Sequence, residues 1–259
     1  MLSSLFRILG ILLVLSALVV GVSYSQRESE SARAQKNAAL ESIQQDFNRL
    51  KESALADDLR QVDVPATQPV AQGRFGEIER VMKEVVAGNV AISNNYRQTL
   101  ETIGWVSILD GERLSTDVDM AKSRAMLDQA RAAIDTVEKE TDEHIRNIEQ
   151  RIRQTNLSEK DRDDMLKGYH KGLRDNNEAR TKFWTLERQT LDEVGHVIDL
   201  LSKREIWTLD DGSIAFHNES DLGTYNASLE KIDDFTRQQQ QILEHQFSNV
   251  NDSLENMKR

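Results

Sequence analysis

Cysteine is absent from this chain, and proline, glycine and aromatic residues are scarce. Without cysteine the chain can form no disulfide, Cys₄ zinc site, thiolate nucleophile or lipid-modified cysteine. The 2 prolines and 12 glycines among 259 residues leave too few turn signals for a fold of many strands. The composition therefore favours long helices, and all-α is the predicted fold class.

The charge balance is acidic, with 33 Lys and Arg against 44 Asp and Glu and a net charge of −11. Nucleic-acid binding needs clustered basic residues, so we expect no nucleic-acid partner. From Glu205 to Arg259 there are 11 acidic and 4 basic residues, which places much of the negative charge in this region. A solvated acidic surface explains this concentration, and the alternatives are a docking surface for a basic partner or the attraction of divalent cations.

The N-terminal segment contains a long hydrophobic run, Ile8–Val22, and no charged residue lies between Arg7 and Arg27. At about 1.5 Å per residue, a helix over this uncharged stretch would approach the thickness of a bilayer core. We therefore predict that residues 1–25 anchor the chain in a membrane. The alternative is a secretory signal peptide that is cleaved near Ser25 and releases the protein into the periplasm.

The orientation across the membrane is weakly encoded in the sequence. Arg27, Arg33 and Lys36 follow the hydrophobic run closely, which slightly favours a cytoplasmic domain. A short tail before an apolar run is, however, typical of exported proteins, and long domains cross largely regardless of charge. We therefore predict a single-pass protein of the cell membrane with its domain on the periplasmic side.

Residues 26–259 show helical periodicity almost throughout and form one predicted domain. Apolar residues three and four apart predict long helices over about 27–61, 74–103, 117–156, 159–204 and from 219 onward. Both prolines lie in the connection 62–73, which should break the first helix from the second. Short connections elsewhere predict an elongated antiparallel bundle of four to five long helices.

We expect this bundle domain to be monomeric, because its apolar stripes are broad enough to be satisfied within one chain. An intermolecular coiled coil is the alternative.

Local signals also mark the ends of elements. Asp110-Gly111 has turn chemistry, and Ser158 with Asp161 resembles a capping box. Ser115, Thr116 or Asp117 could each cap the third helix.

A β-hairpin is predicted over residues 205–217, with Asp210-Asp211-Gly212 as its turn. We expect the face carrying Ile214 and Phe216 to be buried, because a lone hairpin is marginal in water. Trp207 is expected to be partly exposed beside Asp210 and Asp211, which makes these three residues a candidate partner contact. A buried Trp207 would instead be a structural staple.

Glu193 and His196 form the one Glu-x-x-His motif of the chain, and both side chains would project from one side of a helix. Dinuclear metal sites in helical bundles use two such motifs and two further glutamates. No second motif is present, so we interpret Glu193 and His196 as a surface pair. We predict no catalytic, cofactor or metal site and no enzymatic activity, with a metal-carboxylate enzyme as a minor alternative.

The segment Ile206–Asn226 resembles part of a family of uncharacterised enterobacterial envelope lipoproteins. The resemblance lies in the Asp211-Gly212 turn, Phe216, and the Tyr225-Asn226 pair that opens the last helix. It implies a helical domain with one late hairpin and a location in the cell envelope. Since the family has no assigned activity, the resemblance implies nothing about activity. The chain lacks the lipoprotein cysteine, so a protein anchor would replace the lipid.

These features together predict a membrane-anchored envelope protein that acts as a binding or structural module with an unknown protein partner. The first alternative is a periplasmic sensor domain for a small ligand, which would have to signal through a partner protein.

Overall fold

The structure is a computed structural model that describes residues 29–54 and 61–258. Its helices are α1 (Glu30–Ala54), α2 (Gly73–Thr102), α3 (Gly111–Thr116), α4 (Ala121–Arg153), α5 (Glu159–Leu201) and α6 (Glu219–Lys258). Strands β1 (Trp207–Asp210) and β2 (Ser213–Phe216) form one antiparallel hairpin. The all-α class with a small hairpin is confirmed.

The predicted membrane anchor, residues 1–25, lies outside the described residues. Within the ranges described, no helix combines the length and the apolar content that a membrane crossing requires.

The five long helices pack side by side in a closed ring, in the order α1, α2, α4, α5, α6 and back to α1. α5 has 43 residues and is therefore roughly 64 Å long, which makes the bundle elongated. Four of the five interfaces are antiparallel. At each of these interfaces, the residue numbers of two contacts rise on one helix and fall on the other. The contacts are Glu84–Arg151 with Val85–His144, Arg131–Asp192 with Arg180–Asp142, Glu187–Gln239 with Glu193–Lys231, and Gln44–Asn251 with Phe47–Phe247.

The interface between α1 and α2 is parallel, so the prediction of an antiparallel bundle is wrong at this interface. Gln35 accepts a hydrogen bond from the backbone N–H of Gln72 at 2.7 Å, and Asp46 lies 3.7 Å from Lys83 further along both helices. The reason is geometric. Directions cannot alternate at every interface of a closed ring with an odd number of helices, so one pair must be parallel.

A parallel pair requires the chain to return along the bundle, and the predicted connection at 62–73 does this. Residues 61–72 contain no helix and run back along α2. The side-chain amide of Asn94 both donates to and accepts from the backbone of Val62, at 2.8 Å each. Near the other end of the connection, the carboxylate of Glu79 accepts the N–H groups of Val70 and Ala71 at 3.0 and 2.9 Å.

Lys83 completes this attachment. Its ammonium donates to the carbonyl of Gln68 at 3.1 Å and pairs with Glu79 at 3.0 Å. Glu79 is fully buried and Lys83 nearly so. Backbone groups in a non-helical segment need partners when water is excluded, and these side chains supply them.

The apolar stripes predicted from the sequence form one core. Representatives from each long helix are all under 5% exposed: Phe47, Leu100, Ile134, Leu201 and Phe247.

A polar cluster lies within this core. Glu187, 2% exposed, accepts hydrogen bonds from the hydroxyl of Tyr96 at 2.8 Å and from the amide of Gln239 at 2.7 Å, joining α5 to α2 and α6. Burial raises the pKa of both Glu187 and Tyr96.

Several element ends agree with the sequence-based expectations. Ser158 accepts the backbone N–H of Asp161 at 3.2 Å and donates its hydroxyl proton to the Asp161 carboxylate at 2.7 Å. Asp110-Gly111 is not a free turn, however. Asp110 is the N-cap of α3 and accepts the N–H of Arg113 at 2.8 Å.

The return connection predicts opposite effects for two glycine-to-alanine substitutions. A Cβ at Gly76 would lie 2.4 Å from the backbone oxygen of Ala71, whereas a Cβ at Gly223 would meet nothing within 4 Å. We expect Gly76→Ala to lower the free energy of unfolding by about 1–3 kcal/mol, because the connection would be displaced from α2. Gly223→Ala should raise it by about 0.5–1 kcal/mol through helix propensity. Urea denaturation measures both, and stabilisation by both substitutions would contradict the packing of the connection on α2.

Candidate functional site at the hairpin end

We define the hairpin end as residues 103–121 and 202–222. It lies at the end of the bundle opposite to the start of α1. Gln35 contacts Gln72, and Arg74 lies 3.2 Å from Asp161, so α1, α2 and α5 all begin at one end. The hairpin follows the last residue of α5 and therefore lies at the other end.

The hairpin has the turn that its sequence predicts. Trp207 pairs with Phe216 and Asp210 with Ser213, which leaves Asp211 and Gly212 as a two-residue turn. Both turn residues have positive φ, 46° and 75°. Two residues with positive φ are characteristic of the type I′ turn, whose twist matches the twist of the paired strands.

Trp207 is buried, at 4% exposure, so the expectation of a partly exposed tryptophan is wrong. Its indole N–H donates to the carbonyl of Leu201, the last residue of α5, at 2.8 Å. The guanidinium of Arg204 lies over its ring, 5.0 Å from the centroid. Trp207 thus attaches the hairpin to α5 as a structural staple. Of the three residues predicted to contact a partner, only Asp210 and Asp211 remain available at the surface.

Alternation shows which residues of one strand share a face, and the pairing register shows which residues of the two strands share a face. Directly paired residues of an antiparallel hairpin share a face, so Trp207 lies on the same face as Phe216. Phe216 and Ile214 are half-buried, so their expected burial is partly met. The ring of Phe216 lies 5.1 Å from the ring of Tyr225 in α6. The hairpin therefore rests on both α5 and α6.

Two arginines hold the loops of the hairpin end together through backbone carbonyl groups. Arg204 donates to the carbonyls of Leu114, at 2.7 Å, and of Asp117. Arg113 donates to the carbonyl of Ser107 at 2.7 Å and to that of Ile108. Because planar guanidinium groups present several donors in fixed directions, each arginine ties one loop to another.

Asp117 is the buried acceptor that starts α4. Its carboxylate accepts the N–H groups of Lys122 and Ser123 at 3.0 and 2.8 Å and the hydroxyl of Ser123 at 2.6 Å, and Arg113 lies 3.4 Å away. Burial raises the pKa of Asp117, but these hydrogen bonds and the charge of Arg113 outweigh it, and the net pKa is lowered. Asp117 was one of three predicted caps and is the one that the structure uses.

The surface of the hairpin end combines exposed aliphatic side chains with carboxylates. Among the described residues six large hydrophobic side chains are exposed, and four of them belong to this end: Val106, Val118, Leu209 and Leu222. Acidic residues outnumber basic ones here by nine to three. Two of the three basic residues, Arg113 and Arg204, are engaged by backbone carbonyls. Asp210 and Asp211 are exposed at the tip of the hairpin.

Sequence reasoning did not identify the four aliphatic residues as a group. Val106 and Val118 lie in short 3₁₀ segments without periodicity, and Leu222 lies in the first turn of α6. Their proximity at one end depends on how the helices are ordered in the ring.

No protein-family model, curated protein or solved structure matches this chain. The resemblance to envelope lipoproteins therefore stays a prediction. Phe216 and Tyr225, two of the residues that carry it, contact each other in the structure.

Glu193 and His196 lie outside the hairpin end, on α5. The carboxylate of Glu193 pairs with the ammonium of Lys231 at 2.9 Å and lies 3.4 Å from Nδ1 of His196. Burial raises the pKa of Glu193, but its polar partners, Lys231 first, outweigh this and lower it overall. Among the described residues no group of three or more metal-ligating side chains comes together. The structure thus pairs Glu193 with a cation of the chain itself.

Asp117 generates a prediction about acid stability. Because the pKa of Asp117 is lowered in the folded state, its contribution is present above the ordinary aspartate pKa of about 4 and is lost as the pH falls through the lowered value. We expect Asp117→Ala to lower the free energy of unfolding at pH 7 by about 2–4 kcal/mol, because a helix cap is lost and the charge of Arg113 loses its carboxylate partner.

The measurement is urea denaturation from pH 7 down to pH 2. Wild type should lose more stability over this range than Asp117→Ala. The matched control is Asp128→Ala, which removes an exposed aspartate of α4 and should change the free energy by less than about 0.5 kcal/mol. Equal acid dependence in wild type and Asp117→Ala would contradict the role assigned to this carboxylate.

Proposed function

We propose that the chain is a membrane-anchored protein of the cell envelope whose helical bundle acts as a binding module, with the hairpin end as its partner-contact surface. The proposed anchor is the apolar run Ile8–Val22, and the proposed side of the membrane is the periplasmic one. Secretion after cleavage near Ser25 is the competing proposal for location.

The direction of the bundle supports a contact surface held away from the membrane. α1 begins at Glu30, eight residues after the apolar run, at the end opposite to the hairpin. An anchor at Ile8–Val22 would therefore place the hairpin end roughly 60 Å from its attachment point, the length of α5.

The observation that carries the proposal is the surface of the hairpin end itself. Exposed aliphatic side chains supply area that a partner can desolvate, and the surrounding carboxylates favour a partner of opposite charge. Its loops are fixed by Arg113, Arg204 and Trp207, so little ordering would be needed on binding. A basic protein with an apolar centre is the partner that this chemistry fits.

A metal-carboxylate enzyme is less well supported, since Glu193 is paired with Lys231 and the four remaining ligands of such a site are missing from the described residues.

The anchor predicts the behaviour of the mature protein in cell fractions. If residues 1–25 are retained, the protein should remain in the membrane fraction after carbonate washing, and mass spectrometry should find the uncleaved N-terminus. A mature N-terminus at Tyr24 or Gln26 together with a soluble protein would overturn the anchor and favour periplasmic secretion.

The contact surface predicts a charge-dependent interaction. The double substitution Asp210→Asn and Asp211→Asn removes two charges at the hairpin tip, and asparagine at 211 remains compatible with the type I′ turn. We expect recovery of crosslinked basic membrane or envelope proteins to fall at least about threefold, with unchanged thermal melting.

The matched control removes two charges at the other end of the bundle, by Asp163→Asn and Asp164→Asn, and should leave recovery unchanged. Equal recovery with wild type and both double variants would remove the hairpin tip from the contact.

A further inference from the structure

A groove between α4 and α5, about halfway along the bundle, has an unusual charge for this acidic protein. Its volume is about 520 Å³. Arg146, Arg174 and Arg180 line it, and the half-buried side chains of Ile145 and Leu173 form its apolar floor. Asp142 is the one acidic residue in its lining.

One of the three arginines is neutralised within the chain. Arg180 lies 3.2 Å from the carboxylate of Asp142 and donates to the side-chain oxygen of Asn177, also at 3.2 Å. Arg146 and Arg174 make no ion pair within the part of the chain that the structure describes. Two positive charges therefore remain over the apolar floor.

The register of α4 and α5 places these two charges near each other. Arg131 pairs with Asp192 and Asp142 with Arg180, so residue numbers on the two helices run in opposite directions from these fixed points. The groove lies between the Asp142–Arg180 pair on one side and the hydrogen bond from the Tyr169 hydroxyl to the carbonyl of Ile145 on the other, and both Arg146 and Arg174 line it. An acid group between them can contact both guanidinium groups.

A second groove on the same two helices provides an internal comparison. Arg124 and Arg131 line it together with Asp128, Asp192 and Asp199. Arg124 pairs with Asp199 at 2.5 Å and Arg131 with Asp192 at 3.0 Å. The arginines of that groove are thus compensated by carboxylates of the chain, whereas Arg146 and Arg174 are not.

We propose that Arg146 and Arg174 bind the carboxylate of a small organic acid whose apolar part lies on Ile145 and Leu173. Guanidinium groups bind carboxylates through paired N–H donors, and such charge-assisted hydrogen bonds are among the stronger polar contacts. The aliphatic floor selects an acid with a hydrocarbon portion over a bare anion. This ligand site goes beyond the proposed function, because it lies away from the hairpin end and does not depend on a protein partner.

The experiment is isothermal titration calorimetry of the full-length chain with hexanoate, compared with acetate, inorganic phosphate and hexanol. We expect hexanoate to bind at least about tenfold more tightly than acetate or phosphate, and hexanol not to bind measurably. The double substitution Arg146→Gln and Arg174→Gln should weaken hexanoate binding at least about tenfold.

The matched control is Arg131→Gln, which removes a paired arginine of the same helix and should leave hexanoate binding unchanged. Thermal melting of each variant checks that the fold is retained. Absence of hexanoate binding to wild type, equal affinity for all three anions, or equal loss in the control variant would each overturn the proposal. None of these results bears on the contact surface at the hairpin end, which is tested separately.

Discussion

Five helices in a closed ring cannot alternate in direction at every interface, and much of this structure follows from that constraint. One pair, α1 and α2, must be parallel, so the chain has to travel back along the bundle between them. The returning segment cannot satisfy its own backbone groups as a helix does. Glu79, Lys83 and Asn94 of α2 supply these partners from within the packed interface.

Burying Glu79 and Lys83 is costly unless both charges are paired and hydrogen-bonded. Each bonds to the other and to backbone groups of the connection, so the arrangement is stable only while the connection is in place. Removing either residue would leave a buried charge beside unpaired backbone groups. The connection that the parallel interface requires is thus held on α2 by buried polar groups.

Local sequence signals predicted much of the fold. Periodicity predicted the long helices, the two prolines marked the connection, and the hairpin turn and the Ser158 cap were recognisable because each depends on a few adjacent residues. The parallel pair and the burial of Trp207 were missed because they depend on pairing between distant segments. Glu79 and Lys83, four residues apart on a helix, are indistinguishable by spacing from an ordinary surface pair.

The candidate sites likewise combine residues that local sequence signals identify with residues whose role depends on the packing of distant segments. Asp210 and Asp211 were identified from turn chemistry, but the exposed aliphatic residues come to the same end of the bundle only through the order and direction of the helices. Arg146 and Arg174 are unremarkable in the sequence, since many arginines occur on α4 and α5. Their lack of a carboxylate partner becomes visible only once the register of the two helices is known.

That register is specified by polar groups that contribute little stability individually. Arg131 pairs with Asp192, for example, and exposed pairs of this kind are worth at most about 1 kcal/mol each. A slip of seven residues between α4 and α5 would nevertheless separate Arg131 from Asp192 and Arg180 from Asp142. The buried bonds from Glu187 to Tyr96 and Gln239 fix α5 against α2 and α6 in addition. The nearby carboxylates of α4 are already engaged, since Asp142 pairs with Arg180 and Glu149 pairs with Arg153 and His170. Arg146 and Arg174 therefore keep their charge without an ion pair among the described residues.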